Sequence, residues 1–318
     1  MQLIRGRHNL RSAHQGSVVT IGNFDGVHRG HQRIVTQVQQ EALRLGLKST
    51  VMIFEPQPRE FFDPDGAPAR IMSLRDKLRA LKQAGIDQVF CARFDEHFRS
   101  LTAEAFVKDL LVDGLGAQAL VIGDDFRFGC DRDGDFAFLT AAGQRYGFTV
   151  SDTPTCEWQG SRVSSTRVRA ALAEGDLSLA GALLGRPFSI SGRVRHGDKI
   201  GRTLSLPTVN LGLHRLHAPV AGVFAVTVNG AGMKNQPGAA NVGRRPSVQG
   251  VENRLEVHLL DYQEPQGFED GLYGQHLDVQ FHHFIRAEYA FDGLDQLKAA
   301  IDNDVTQVRQ FFRASPGH

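Results

Sequence analysis

The stretch TIGNFDGVHRGHQRIV, residues 20–35, decides how the whole chain is read. It overlaps the end of a short β-branched run, SVVTIG (17–22), of the kind a buried strand needs. A glycine-bearing turn follows, and two histidines, His28 and His31, stand three residues apart where a helix begins. At that spacing both imidazoles share one helical face. Gly22, Gly26 and Gly30 remove side chains that would hold a backbone away from phosphate, and a helix N-terminus adds exposed N–H groups and partial positive charge. Either histidine alone reads as an ordinary helix-start residue. The pair in H-x-G-H, after a strand and a glycine turn, predicts a cradle for the triphosphate of a nucleotide.

Outward from this stretch the first half alternates strands and helices. Ile34, Val38, Ala42 and Leu45 recur at helical spacing and stop at Gly46, a natural C-terminal stop. TVMIF (50–54), QVFCA (88–92) and ALVIG (119–123) read as strands. Ser73 with Asp76 predicts a capping box ahead of a helix carrying Leu74, Leu78 and Leu81, and AEAFVKDLLVD (103–113) predicts another helix. Strands separated by helices imply βαβ units and a parallel sheet.

The rhythm changes at LLGRPF (183–188). Beyond it come FSISGRVRH (188–196), GVFAVTVNG (222–230), RLEVHLLD (254–261) and HLDVQFHHF (276–284), short strands with glycine-rich turns. A helical pattern returns only at GLDQLKAAIDNDVTQVRQFF (293–312). The expectation is an α/β Rossmann-like domain over 1–185, then a small antiparallel β-barrel with a C-terminal helix over 186–312, and a tail over 313–318.

Bulk properties agree with two domains, since 318 residues exceed what one hydrophobic core usually organises. Apolar residues at 41% and charged residues at 22% are ordinary for a globular protein, and a formal net charge of +1 argues against a nucleic-acid partner. Arg5, Arg7 and Arg11 interrupt any secretory-type apolar run, and no stretch suits a membrane span. Cys91, Cys130 and Cys156 are too few and too scattered for a disulfide framework or a zinc site, which points to a reducing cytoplasm. Oligomeric state leaves no mark in the sequence.

Three further segments carry chemistry. In VSSTRVR (163–169), Ser164, Ser165 and Thr166 offer hydroxyls and amides, and Arg167 or Arg169 offers a bidentate fork, although such a run alone is more often a helix cap. In SGRVRHGDKIGRTLSLPTVNL (191–211), Gly192, Gly197 and Gly201 are spaced for a tight loop whose amides face phosphate, but no Walker A lysine follows. Thr208 and Asn210, two apart on an extended segment, point to one side and present neutral oxygens suited to a hard cation; from the segment alone, turn chemistry after Pro207 is the commoner reading. Adjacent His282 and His283 should point to opposite faces of a strand, so packing suits them, and surface or packing roles suit His214 and His217 too.

GNFDGVHRGH resembles the nucleotidyltransferase motif of bacterial FAD synthetases, and its H-x-G-H is similar to that of cytidylyltransferases. GDDFRFG (123–129) and VSSTRVR look like that family's flavin-side loop and phosphate-contacting element. The glycine-rich run ending in PTVN, then NVGRRPS (241–247), RLEVHLLD and FIRAEYAF (284–291), resemble its riboflavin kinase half. The resemblance runs from about Met1 to Phe312. It implies a bifunctional enzyme that uses ATP to phosphorylate riboflavin to FMN and then to adenylylate FMN to FAD.

It also implies roles. His28 and His31 would stabilise the adenylyl-transfer centre, and Glu256 would be the kinase base, a residue that by alternation alone reads as a solvated carboxylate beside Arg254. Gly22, Asn23, Phe24, Asp25, Gly30, Ser164, Ser165, Thr166, Arg167, Arg169, Gly192, Gly197, Lys199 and Gly201 would bind nucleotide. Asp125, Phe126, Arg127, Arg245 and Arg286 would bind flavin, and Thr208 and Asn210 would hold Mg²⁺. Four positions depart from the family pattern: Gln57 replaces a histidine, Ser205 and Leu206 replace Gly and Phe, and Phe224 replaces Tyr. Two other readings stand beside this one. The C-terminal domain could bind flavin without catalysis, or the chain could be a cytidylyltransferase of phospholipid precursors sharing only H-x-G-H.

Overall fold

A computed structural model describes residues 1–123, 125–195, 208–213, 217–247, 250–262 and 271–314. Gly197, Lys199, Gly201, Ser205, Leu206 and His214 fall outside the described residues. The chain forms two compact units, one of Met1–Pro68 with Leu74–Ser164, the other of Ala69–Ser73 with Ser165–His318.

The first unit is built on six parallel strands: β1 (Gln2–Arg5), β2 (Ser17–Ile21), β3 (Lys48–Glu55), β4 (Gln88–Arg93), β5 (Ala117–Gly123) and β6 (Thr149–Thr153), in the order β1-β4-β3-β2-β5-β6. Every residue of β2 is buried, as a central strand covered on both faces requires. After β2 the chain builds outward through β3 and β4, then crosses back to lay β5 on the other side of β2. That reversal is a topological switch point, where ligands bind beyond the carboxyl ends of the strands. GNFDGVHRGH leaves β2 there and GDDFRFG leaves β5 there.

Helix α1 (Arg29–Leu45) ends at Gly46, whose φ of 65° is the left-handed stop expected of it. Its buried face is Val35, Val38 and Ala42, and Leu45 is exposed instead, because the helix turns its last residue past the sheet. Helix α2 (Pro58–Phe62) follows β3, and α3 (Leu74–Gln83) begins directly after Ser73. Leu81 on α3 is buried as expected, but Lys77 beside it is buried completely. The expected helix over 103–113 starts as a single turn, Ala103–Ala105, and continues as a π-helix, Phe106–Val112, which turns Phe106, Val107, Leu110 and Leu111 into the core. A two-stranded hairpin, β7 (Glu157–Trp158) and β8 (Ser161–Arg162), closes this unit.

The second unit begins with helices Ser165–Ala173 and Leu177–Leu184, then a closed antiparallel barrel and the C-terminal helix Leu294–Ala314. The barrel strands are β9 (Phe188–Arg195), β10 (Thr208–Gly212), β11 (Gly222–Gly230), β12 (Met233–Ser247), β13 (Gly250–Leu259) and β14 (His276–Arg286), in the circular order β10-β13-β12-β11-β14-β9. Phe188, Phe224 and Phe281 fill the interior, with Phe281 5.3 Å from each of the other two rings. Phe224 is fully buried, so a tyrosine hydroxyl there would need a buried partner. His283 stacks on Phe311 of the C-terminal helix and His282 bonds Thr227 at 2.8 Å, which gives both histidines packing roles.

Arg286, at the end of β14, holds the C-terminal helix by two parallel bonds to Asp304, both 2.8 Å, with Asp304 only 4% exposed. Asp304→Asn should therefore lower the stability of the second unit by about 2–4 kcal/mol, because it leaves a half-buried guanidinium without its counter-charge. The single tryptophan, Trp158, lies in the first unit. In denaturant the far-ultraviolet circular dichroism transition should move to lower concentration while the Trp158 fluorescence transition stays in place.

Candidate active sites

In the first unit the chain leaves β2 through a turn with three positive φ angles: Phe24 (47°), Gly26 (85°) and Val27 (41°). Two of these are non-glycine residues held in a sparsely populated region, a local strain common at binding sites. Phe24, Asp25, Val27 and His28 are all buried, so packing over-determines the turn; Asn23 is exposed. A Cβ on Gly22 would meet the Phe24 ring at 3.3 Å.

His28 is the N-cap of α1, and its Nδ1 accepts the His31 backbone N–H at 3.3 Å. That bond fixes Nδ1 as an acceptor, so Nε2 carries the proton of the neutral ring. The His28 and His31 rings stack at 3.7 Å and 14°, and Phe24 lies 4.8 Å from the His31 ring. His31 Nδ1 is shielded from solvent and has no hydrogen-bond partner among the described residues. Burial above all, then the charges of His28 and Lys77, hold His31 well below the usual histidine range. A Cβ on Gly30 would stand 3.1 Å from the His28 ring and 3.5 Å from the Val163 carbonyl, so this glycine is what lets the 163–164 segment approach the histidines.

The surrounding groups are polar and aromatic. Arg29 lies over Trp158 at 5.0 Å. Asp125, in the loop after β5, pairs with Arg162 of β8 at 2.9 Å. Phe126 stacks on Phe128 at 5.6 Å, while Arg127 is exposed, 4.0 Å from Asp135. Gln57, after β3, caps α2 and is buried; its backbone N–H donates to Glu60 at 3.0 Å, and its Nε2 has no partner among the described residues. Ser164 closes the first unit, whereas Ser165, Thr166, Arg167 and Arg169 belong to the second, on helix Ser165–Ala173. There Arg169 donates to the Ala69 carbonyl at 2.7 Å.

The sequence reading passed over Arg162 and Lys77. Lys77 did leave a signal: it lies three residues after Leu74 and four before Leu81, on the apolar stripe of α3.

In the second unit the candidate residues lie on the barrel's outer face. Val209, Leu211, Leu255, Val257, Ala240 and Val242 are buried, so the alternate residues face outward. Register sets Thr208 against His258 and Asn210 against Glu256, and Glu256 in turn against Asn241. Arg254 stands on the same face, 3.9 Å from Glu256. Asn210 Oδ1 is buried with no partner among the described residues. A shielded neutral oxygen beside a carboxylate, with Thr208 two residues away on the same face, fits a hard divalent cation arriving with a nucleotide. No cluster of three or more His, Cys, Asp or Glu suited to a metal exists among the described residues.

Gly192 corrects an expectation. It lies inside β9 opposite Leu277 and not in a loop, and a Cβ there would press on Leu211 at 3.1 Å. Arg245 lies in β12 opposite Glu252, and Arg286 is engaged with Asp304.

Family models for FAD synthetase and riboflavin kinase match residues 10–167 and 184–312. The chain is 52% identical to the bifunctional riboflavin kinase/FMN adenylyltransferase of Escherichia coli K12, over 98% of both chains. It is 53% identical to the protein of the same name from Pseudomonas fluorescens, over 97% of both. A solved structure from Streptococcus pneumoniae, described as a macrolide-efflux protein, superposes with a TM-score of 0.79 at 30% identity, covering 97% of this chain and 99% of that one. Among the described residues no helix is long and apolar enough to cross a membrane. With H-x-G-H at the switch point of a parallel sheet and Thr208 and Asn210 on the wall of a closed barrel, each inside its matched segment, the chain belongs to the bifunctional riboflavin kinase/FMN adenylyltransferase family.

Proposed function

We propose that the chain phosphorylates riboflavin with ATP in its C-terminal half, residues 186–312, and adenylylates the resulting FMN in its N-terminal half, residues 1–185, releasing pyrophosphate. The observation that carries the second reaction is the stacked His28–His31 pair at the start of α1, beyond the end of β2. The attacking FMN phosphate is already an anion, so the step needs alignment and charge stabilisation more than a base. His28, with Nε2 as its donor, and His31, neutral before nucleotide arrives, face the transferring centre together with the amides of the α1 N-terminus. The Gly22–Asp25 turn and Gly30 leave room for the phosphates, with Ser164 of the same unit as a further phosphate contact. Asp125, Phe126 and Arg127 receive the flavin.

In the kinase half, Glu256 accepts the proton of the ribityl hydroxyl as it attacks the γ-phosphorus. Thr208 and Asn210 hold Mg²⁺, which when bound neutralises charge on the transferring phosphoryl group. Arg245 and Arg286 are the flavin-binding arginines of this reading, Arg286 in addition to its pairing with Asp304. We read the setting as a reducing cytoplasm and the substrates as small molecules; three free cysteines are compatible with that reading.

A chromatographic time course of the protein with riboflavin, ATP and Mg²⁺ should show FMN rising and then giving way to FAD. Riboflavin left untouched while added FMN becomes FAD would reduce the C-terminal unit to a flavin-binding module. His28→Ala should stop FAD formation and spare FMN formation, and Glu256→Ala should do the converse. One variant losing both activities while still folded would refute the division of labour.

The depressed pKa of His31 has a second consequence. His31 stays neutral in the free protein where an unfolded chain would protonate it, so stability falls as pH drops through the usual histidine range. A bound triphosphate favours the charged ring, so ATP binding near pH 6 should take up protons. Calorimetry in buffers of differing ionisation enthalpy should show that uptake, and His31→Asn should diminish it; equal uptake in both proteins would remove His31 from the phosphate site.

A further inference from the structure

Strands β10, β13 and β12 are neighbours in the barrel, and their register aligns Asn210, Glu256 and Asn241 in one outward-facing row. Side chains directly opposite in an antiparallel ladder stand side by side on one face. Both asparagines that flank the carboxylate keep a buried side-chain oxygen without a hydrogen-bond partner among the described residues. A buried acceptor left unmet is costly, and two in one row around one carboxylate mark a surface shaped for something that supplies donors. Asn210 already has a role in the kinase reading. Asn241 has none.

Asn241 differs from Asn210 in how it is held. Its Nδ2 donates to Glu288 Oε1 at 3.0 Å. A carboxylate only accepts, so this bond sets which end of the amide is nitrogen and turns Oδ1 away from Glu288. Glu288 reaches that position across Gly243, two residues from Asn241 on the same face; with a Cβ there the carboxylate would have to shift from its place against Asn241. Gly243, Glu288 and Asn241 thus form one device whose product is an oriented amide oxygen.

The order of the row says what that oxygen meets. Thr208 and Asn210, at the metal and phosphate side, lie on β10; Glu256 stands in the middle; Asn241 lies on β12 at the far side. Phosphoryl transfer needs donor and acceptor oxygens in line on opposite sides of phosphorus. With ATP on the β10 side, the alcohol approaches from the β12 side.

We propose that Asn241 Oδ1 accepts a hydrogen bond from a ribityl hydroxyl next to the one that reacts, and that Glu288 is the positioning residue that aims it. This rests on the kinase reading above. It makes Asn241 the residue that tells a polyhydroxylated flavin from an isoalloxazine lacking the sugar chain.

The test uses the full-length chain. Asn241→Ala should raise the KM for riboflavin about tenfold, the size expected for one hydrogen bond to a buried acceptor, with a smaller change in kcat. The KM for ATP and the Mg²⁺ dependence should hold. In binding measured by flavin fluorescence, affinity for riboflavin should fall while affinity for lumiflavin, which lacks the ribityl chain, should not. Glu288→Ala should shift the riboflavin KM in the same direction, and Glu288→Gln, whose amide oxygen still accepts, should restore most of the loss.

FAD formation from supplied FMN reports on the other half of each variant, and the unfolding transition reports on the barrel. If Asn241→Ala cannot fold, the Glu288→Ala and Glu288→Gln pair reads the same bond. A loss that falls on Mg²⁺ or ATP dependence, or equally on lumiflavin, would overturn the proposal, as would an unchanged riboflavin KM. A wild-type chain that makes no FMN at all would remove the kinase reading and this proposal together.

Discussion

The first unit depends on how one helix is begun. The N-terminal N–H groups of α1 lie just beyond a fully buried strand and need acceptors. At three other helices this chain uses aspartate for that purpose: Asp95, Asp135 and Asp176 each accept from the backbone three residues on. At α1 the cap is His28. An aspartate would cap more strongly, but it would set a fixed negative charge where the proposed reaction brings phosphate. An imidazole accepts through Nδ1 and keeps a donor on the far side of the ring. On the proposed reading, helix capping and anion binding are one interaction seen from two sides. The stacking of His31, the closeness of Gly30 and the strained turn from Phe24 to Val27 all follow from where that ring must lie.

The second unit solves its problem without a helix terminus. A closed barrel spends one face of every strand on its core, here Phe188, Phe224, Phe281 and the aliphatic residues between them. Only the outer face is left for chemistry, and cross-strand register decides which polar residues meet. Thr208 with His258, and Asn210 with Glu256 and Asn241, are brought together by ladder pairing across strands far apart in sequence. A slip of one residue would turn the row into the barrel and the valines out.

This difference explains what could be read from sequence. The switch-point segment is local: the strand end, turn, glycines and histidines fall within sixteen residues, 20–35, so strand and helix on either side were legible from periodicity. The barrel strands at 188, 222, 254 and 276 were legible from alternation, and so was the closing helix. The edge strands β1 and β6 were not, because β1 is only four residues long and β6 is mostly polar. Strand β12 was hidden by the Pro237 and glycines within it, which a barrel wall tolerates and a propensity scale does not. Asn241 and Glu288 were quoted inside motifs but carried no role, since their meaning lies in a contact 47 positions apart. Gly192 went astray because a glycine that lets Leu211 pack looks, in sequence, like a glycine of a loop.

Lys77 shows what such a site demands of the free protein. It is fully buried, and its charge is among the causes that depress His31, as is that of His28. Three basic groups drawn toward one place repel each other, and burial raises the cost of every charge among them. A fold selected for stability alone would put an apolar residue on that stripe of α3. The sequence keeps a lysine there, and burial together with the His28 and Lys77 charges holds His31 well below the usual histidine range. On the proposed reading a polyphosphate would reverse the sign of the interaction with His31, so that what depresses its pKa in the free protein would favour the bound anion.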